Sequence, residues 1–383
     1  MSEPTSILCL SHLTWDPNLF QRPQQIMTRL ARRGHRVFYV SKLSTRQWIQ
    51  DAFRGRNGIH ASPPDQNPAH RNSPWFPLSN RIGLVREMDE RFLSRRLLRW
   101  ANERPGPLVL WLYHPCYLRF VDRIPHEVLV YDIMDHFKGF KLSKRDVRSI
   151  EEELLGRADV VTTGGRAIQE ANESQRPDAR CFPSGIELEH FSMARDPDLA
   201  IPEDMRGIPG PVLGYFGAID ERLDFDLVRS MCRAHREWSV VFLGPVIPGT
   251  ELTIDEPNFH WLGPKPYAEL PAYLKAWDVC LMPWVQSELT AHISPTKTPE
   301  YLAGGKPVAS VPIRDVRRDY GDVVFFGEGA EGFSEAVEAA LEARGRDWAA
   351  TLEGREAART WDQIAEAMEE LIAAANTERG GGN

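Results

Sequence analysis

A chain of 383 residues is too long for one ordinary hydrophobic core, so two domains are expected. Its composition, 42% hydrophobic and 26% charged, is globular and has no apolar run long enough to cross a bilayer, which argues against an integral membrane protein. The formal charge of -8 hides an asymmetry: residues 1–193 hold 28 basic against 22 acidic side chains, and residues 194–383 hold 18 against 32.

A basic half beside an acidic half predicts two domains with different partners. The basic half could face anionic lipid or an anionic acceptor, or simply be a solvated surface. No nucleic-acid partner is expected. Met1–Ser6 lacks a basic region and Ile7–Leu10 is too short for a signal core, so a cytoplasmic protein is expected, with peripheral contact at the inner membrane face. Cys9, Cys116, Cys181, Cys232 and Cys280 are scattered and odd in number, which indicates neither a disulfide framework nor a zinc site.

Ile7–Leu10 predicts a buried strand, Arg22–Gly34 an amphipathic helix with Pro23 in its first turn, and Val37–Ser41 a second strand, together a βαβ unit. The loop His12–Arg22 then lies at the carboxyl edge of a parallel sheet, where ligands bind, but no Gly-x-Gly-x-x-Gly follows the strand. Residues 43–80 read as a long irregular insert whose Trp48, Phe53, Trp75 and Phe76 would line an acceptor groove, rest on a membrane or fold back on the core. A helix is expected over Val85–Glu103, and strands at Leu108–Tyr113 and Val128–Asp132. Tyr113-His-Pro115 and Asp132-Ile-Met-Asp-His136 follow those strands, so a general base is sought there: Asp135 first, with His114, Asp132 and His136 beside it. An Asp after a strand also serves as a helix cap. A helix at Arg145–Gly156 and a strand at Asp159–Thr163 lead to Gly164-Gly165 and a further helix.

Residues 194–210 carry Pro, Asp and Gly without periodicity and read as a linker. Strands at Val212–Gly217, Ser239–Leu243, Asn258–Leu262, Val279–Met282, Pro307–Val311 and Val323–Phe326 alternate with helices, which predicts a second parallel sheet covered on both faces. After Gly332 the chain reads as helical to about Ala375, with a disordered tail from Gly380. In Gly214–Arg222 the glycines would let backbone amides approach a diphosphate and Arg222 would bind it. Asp224-Phe-Asp226 has the Asp-x-Asp spacing of metal sites, but a helix cap accounts for Asp224 better, and no metal is expected.

The most telling stretch is Ser294-Pro-Thr-Lys-Thr-Pro-Glu-Tyr-Leu-Ala303 with the Gly304-Gly-Lys-Pro307 that follows. Ser294 or Thr296 can cap a short helix whose free amides, with Lys297, suit a phosphate. Glu300 lies on the same face three residues on and suits a ribose diol. The plain alternative is a capped surface helix with a local Lys–Glu pair.

These motifs, with Gln21-Arg-Pro-Gln-Gln25, Leu30-Ala-Arg-Arg-Gly34, Tyr131–Asp135, Ala158–Gly165, Phe182-Pro-Ser-Gly-Ile186 and His190-Phe191, resemble in order and spacing the GT-B glycosyltransferases. The similarity is to the family 4-like (group 1) bacterial transferases, including the teichuronic-acid and exopolysaccharide types. The resemblance implies an α/β architecture of two doubly wound Rossmann-like domains facing a central cleft. It implies an acceptor domain at 1–193, the linker, a nucleotide-sugar domain at 211–359, and over 360–383 a C-terminal helix that can pack back on the first domain, followed by the disordered tail. It also implies that Glu300 holds the donor ribose, and that Lys297 and Arg222 lie near the diphosphate. Gly217, Ser294 and Thr296 are the remaining donor-side positions. Gly217-Ala218 stands where the family has Gly-Arg, and His292 where it has an acidic residue, which leaves sugar and stereochemistry open.

The expected activity is a metal-independent, hexosyltransferase-type transfer from a nucleotide sugar, a UDP-sugar before a GDP-sugar, to a glycan, lipid-linked or small-molecule acceptor. The donor is a substrate and no cofactor is expected. A nucleotide-sugar epimerase or hydrolase and a non-catalytic nucleotide-sugar-binding protein are the rival readings.

Overall fold

The computed structural model describes residues 4–13, 15, 20–43, 59–60, 69–74, 91, 94–95, 97–102, 106–137, 145–291 and 293–380. Two compact units divide the chain: Met1–Gly164, Ile168–Phe182 and Trp361–Asn383 form one, and Gly165–Ala167 with Pro183–Thr360 the other.

The first unit holds β1 (Ser6–Ser11), β2 (Arg36–Leu43), β3 (Ile59–His60), β4 (Ala69–Pro74), β5 (Leu108–Leu112), β6 (Val128–Ile133), β7 (Val160–Thr163) and β8 (Arg180–Cys181). They form one sheet in the order β3-β4-β2-β1-β5-β6-β7-β8. Among the described residues only the β3–β4 pairing in this sheet is antiparallel. β1, β5 and β6 are buried at every residue, as expected of central strands covered on both faces. Their side chains alternate: Leu8, Leu10, Leu110 and Leu129 enter one core layer, and Ile7, Cys9, Val109 and Trp111 the other.

The second layer is closed by two helices from opposite ends of the sequence, Arg22–Arg32 and Trp361–Gly380. Trp361, Ile364, Ala365, Met368 and Ile372 recur at helical spacing and pack with Ile26, Met27 and Leu30. Arg29 pairs with Asp362 at 3.0 Å, and Arg33 with Glu369 at 2.5 Å, along the rim of that contact. The C-terminal helix is thus part of the first unit's core.

The second unit holds β9 (Val212–Phe216), β10 (Ser239–Leu243), β11 (Phe259–Trp261), β12 (Val279–Met282), β13 (Val308–Ser310) and β14 (Val324–Phe326). The order is β11-β10-β9-β12-β13-β14, parallel throughout. Strand order reverses direction beside β9, and in such sheets the crevice at the carboxyl ends there is the ordinary ligand position.

Several expectations change. The insert at 43–80 is not wholly irregular, because β3 and β4 extend the first sheet beyond β2. Trp48, Phe53, Trp75 and Phe76 lie outside the described residues. The stretch 194–210 carries the short turns Met193–Arg195 and Glu203–Met205 and belongs to the second unit, where Asp204 accepts from Tyr273 at 2.9 Å and pairs with Lys265 at 2.6 Å. The helical run after Gly332 is interrupted: one helix spans Gly329–Glu342, and the next regular helix begins at Trp361. Gly345 and Gly354 adopt φ of +85° and +72° in between, a backbone region that a helix of L-residues does not continue through. Helix Trp361–Gly380 runs to Gly380, the first residue of the expected disordered tail, and residues 381–383 lie outside the described residues.

Ile364 is 1% exposed at the centre of the two-helix contact. Ile364→Ala should lower the stability of the first unit by about 2–5 kcal/mol, seen as a lower urea midpoint.

Candidate functional site

In the second unit the exits of β9 and β10 are pressed together. Gly217 has φ +146° and Gly244 φ +139°, conformations that favour glycine. A Cβ on Gly244 would stand 1.9 Å from the carbonyl oxygen of Gly217. One on Gly217 would stand 2.5 Å from Cε of Lys297. The bare backbone therefore lets the Lys297 stem lie across Gly217. Gly214 serves another purpose, since a Cβ there would strike the Trp277 ring at 1.8 Å. Its role is packing, not approach to a diphosphate.

Lys297 opens the helix Lys297–Ala303. Its Nζ lies 5.6 Å from the centroid of Tyr215 and 5.8 Å from that of Trp284, a cation held between two aromatic faces. Burial lowers its pKa, Glu300 opposes that shift, and Arg222 adds to it. Glu300, 9% exposed, is pushed up by burial, while Lys297 draws it down. The two charges stabilise each other in a site that disfavours both. The hydroxyl of Tyr301, the next residue, accepts from Phe216 N–H at 3.2 Å, which seats this helix against β9.

Ser294 and Thr296 lie half-buried in the turn entering the helix. The Thr296 side chain makes no capping bond; its carbonyl accepts from Glu300 N–H at 3.3 Å. With only seven residues the helix has a small dipole, so Lys297 and the bare glycine backbone, rather than the helix end, are the groups at this site suited to an anion. His292 lies outside the described residues.

Arg222 follows β9 and is held by Asp220, with Nε 2.9 Å from Oδ1 and Nη2 2.5 Å from Oδ2. Asp224 accepts from Leu227 N–H at 2.9 Å and caps the helix Phe225–Ala234, whereas Asp226 pairs with Arg229 at 2.5 Å. The Asp-x-Asp spacing is thus accounted for by a cap and a surface ion pair.

The first unit gathers a different group at the exits of β1, β5 and β6. Tyr117 donates to the carbonyl of Ser11 at 2.7 Å and Tyr39 to that of Leu13 at 2.8 Å, which fixes the chain on both sides of His12. The His12 ring lies 5.3 Å from that of His114 and 5.5 Å from that of Phe137. Its Nε2 is 4.0 Å from Oδ2 of Asp135. Burial lowers His12 to about 4, with a hydrogen bond to the Tyr113 backbone opposing, so the ring is neutral at neutral pH. Asp135 is the more open partner, with a side chain 37% exposed. His114 accepts from Cys116 N–H at 3.0 Å through Nδ1 and so caps the following turn.

Asp132 stands apart from this group. It is fully buried, accepts from Nε and Nη2 of Arg22 at 3.0 Å each, and from the Thr162 hydroxyl at 2.8 Å. Arg22 also donates to the carbonyl of Phe182 at 2.7 Å. Asp132 is thus a structural anchor joining the helix start to β6, β7 and the end of β8, with its oxygens engaged. Sequence reasoning placed Asp135 and His114 correctly at strand exits but passed over His12, although its position directly after β1 was a signal for it.

No protein-family profile matches the chain. A curated protein of Bacillus subtilis (strain 168), TuaH, which carries the name of a teichuronic acid biosynthesis glycosyltransferase, is 29% identical over 174 residues. That alignment takes in 43% of this chain and 43% of the relative, so the match spans less than half the length of either. Among solved structures, sucrose-phosphate synthase from Thermosynechococcus elongatus matches with a TM-score of 0.70 at 14% identity, over 97% of this chain and 98% of that one. Trehalose 6-phosphate synthase from Burkholderia multivorans matches at 0.67 and 13%, over 98% of each chain. HepE of Anabaena, solved with UDP and glucose, matches at 0.64 and 14%, over 96% and 99%. The chain therefore has the GT-B fold of two Rossmann-like domains, the architecture of the glycosyltransferases that its motifs resemble.

Proposed function

We propose that this protein is a glycosyltransferase that moves a hexosyl group from a nucleotide sugar, a UDP-sugar foremost, to a hydroxyl of a glycan or lipid-linked acceptor in envelope or exopolysaccharide synthesis. The observation that carries the reading is Lys297 lying across side-chain-free Gly217, with Glu300 three residues on along the same short helix. The TuaH similarity and the fold of HepE, whose structure holds UDP and glucose, point the same way.

In this reading the donor binds on the second unit. Glu300 accepts from the ribose hydroxyls, and Lys297 and Arg222 face the diphosphate. The bond between the sugar's anomeric carbon and the diphosphate oxygen breaks, and the electron pair leaves with the diphosphate. Lys297 stabilises that developing charge from a desolvated position, where a fixed cation is worth more than in water, so the reaction has no need of a metal ion. The acceptor hydroxyl forms the new bond and loses its proton to a base on the first unit. Asp135 is that base, with His12 beside it as a neutral imidazole that can take or relay the proton. No helix among the described residues is long and apolar enough to cross a membrane, so a lipid-linked acceptor would be met at the membrane surface.

Titration with UDP should show saturable binding to the wild type. Glu300→Ala should weaken it at least about tenfold, the scale of a lost hydrogen bond to a charged group. Lys297→Ala should lower kcat about a hundredfold, as expected for a group acting on the leaving charge. Wild-type UDP affinity and turnover in both variants would overturn the donor site. Asp135→Asn and His12→Ala should each depress turnover while leaving the UDP Kd unchanged, measured by calorimetry on the same preparations. Steady release of UDP from donor without acceptor, at the rate seen with it, would instead identify a hydrolase.

A further inference from the structure

The loop after β9 is pinned along both sides. Ile219 bridges Val246 in parallel and Leu223 bridges Trp284 in antiparallel fashion. Ile219 N–H donates to Pro245 and Ile247 N–H to Ile219, both at 2.9 Å. On the other side Val285 N–H donates to Arg222 at 2.8 Å and Asp224 N–H to Pro283 at 2.9 Å. The backbone of residues 219–224 is therefore set by its neighbours, whatever the side chains between them do.

Within this frame Asp220 grips Arg222 on both of its carboxylate oxygens. Nε of Arg222 lies 2.9 and 3.0 Å from Oδ1 and Oδ2, Nη2 lies 2.5 Å from Oδ2, and the backbone N–H of Arg222 reaches Oδ1 at 3.0 Å. A planar guanidinium takes a carboxylate and a phosphate with the same two-pronged geometry. The two side chains are two residues apart on a fixed backbone, so the carboxylate meets the guanidinium at a very high effective concentration. Both charges are felt where an anion would sit: Arg222 lowers and Asp220 raises the neighbouring Lys297 ammonium, after burial and Glu300.

We propose that Asp220 is an internal competitor for the diphosphate on Arg222, a carboxylate that loosens the grip on nucleoside diphosphates. The inference rests on the donor site proposed above and adds a residue that acts against binding. A diphosphate arriving beside Lys297 must share the Arg222 guanidinium with Asp220 or displace it. Removing the carboxylate takes a negative charge away from beside the guanidinium and strengthens its attraction for the anion. The side chains of Arg222 and Asp220 are 37% and 16% exposed, so the effect is that of a partly solvated ion pair, about fivefold in affinity. This distinguishes Asp220 from a residue that merely supports the loop, whose loss would weaken binding.

The test is calorimetric titration of the full chain with UDP and, in parallel, GDP. The variants are Asp220→Asn, which keeps the acceptor for Arg222 N–H and removes the charge, Asp220→Ala, Arg222→Ala and the double variant Asp220→Asn/Arg222→Ala. Asp220→Asn and Asp220→Ala are expected to bind the preferred nucleotide about fivefold more tightly than wild type, with a lower donor KM. The gain should vanish when Arg222 is also removed, because Asp220 acts through that side chain. Equal or weaker binding by both Asp220 variants overturns the proposal, and so does a gain that persists without Arg222. If the wild type binds neither nucleotide, the donor reading itself fails and the inference falls with it, an outcome read from the wild-type titration alone.

Discussion

The close passage of Lys297 over the α-carbon of Gly217 is the contact on which the second unit's site depends. It requires two things at once: a residue without a side chain at the exit of β9, and a helix seated so that its first residue points back over that exit. The Tyr301 hydroxyl at Phe216 N–H secures the second condition, and the φ of +146° at Gly217 reflects the first. Gly244 extends the same constraint to β10, since any side chain there would strike the Gly217 carbonyl. A strip of bare backbone thus runs along the edge of the sheet, and a single cation lies over it between two aromatic rings. Such a cation is costly to bury, which is why Glu300 accompanies it and why an anionic ligand would be welcome.

The charge distribution around that strip is balanced rather than uniformly basic. Lys297 is set against Glu300 on the helix, and Arg222 against Asp220 on the loop. Arg222 is held by the Asp220 carboxylate, whereas Glu300 acts on Lys297 through its charge. The same logic appears in the first unit in a different form. Asp132 and Asp135 are three residues apart, yet Asp132 lies within the sheet where Arg22 and Thr162 saturate it, and Asp135 lies past the sheet's edge where it remains open to solvent. Position relative to the strand end, not residue type, separates the structural carboxylate from the one able to accept a proton.

Much of this was legible in the chain itself. The central strands announced themselves as short apolar runs because a parallel sheet buries both faces, and their spacing by helical segments allowed only a doubly wound arrangement. Gly217, Lys297 and Glu300 could be singled out because glycine at a strand end and charges three apart on a helix each have few physical explanations. The reading failed where the deciding partner is distant or ambiguous in sequence. The helical character after Gly332 hid a break, because alanine and glutamate outweigh two glycines in any window average. The insert at 43–80 concealed two strands, because outlying strands such as Ala69–Pro74, beyond β2, lack the apolar run that marks central ones. His12 was passed over although it directly follows β1, because its partners His114, Phe137 and Asp135 are more than a hundred residues away in sequence.

The sequence by itself determined the two doubly wound units, the parallel character of their sheets, and a short list of candidate donor-site groups, since these follow from periodicity and residue chemistry within a few neighbours. Only the tertiary structure decided that Asp132 belongs to Arg22, that Arg222 is held by Asp220, and that His12 stands 4.0 Å from Asp135. The physical reason is the same in each case. Whether a charged side chain is an anchor or a reactive group depends on which partners the folded chain brings within hydrogen-bond reach and how much water it leaves them.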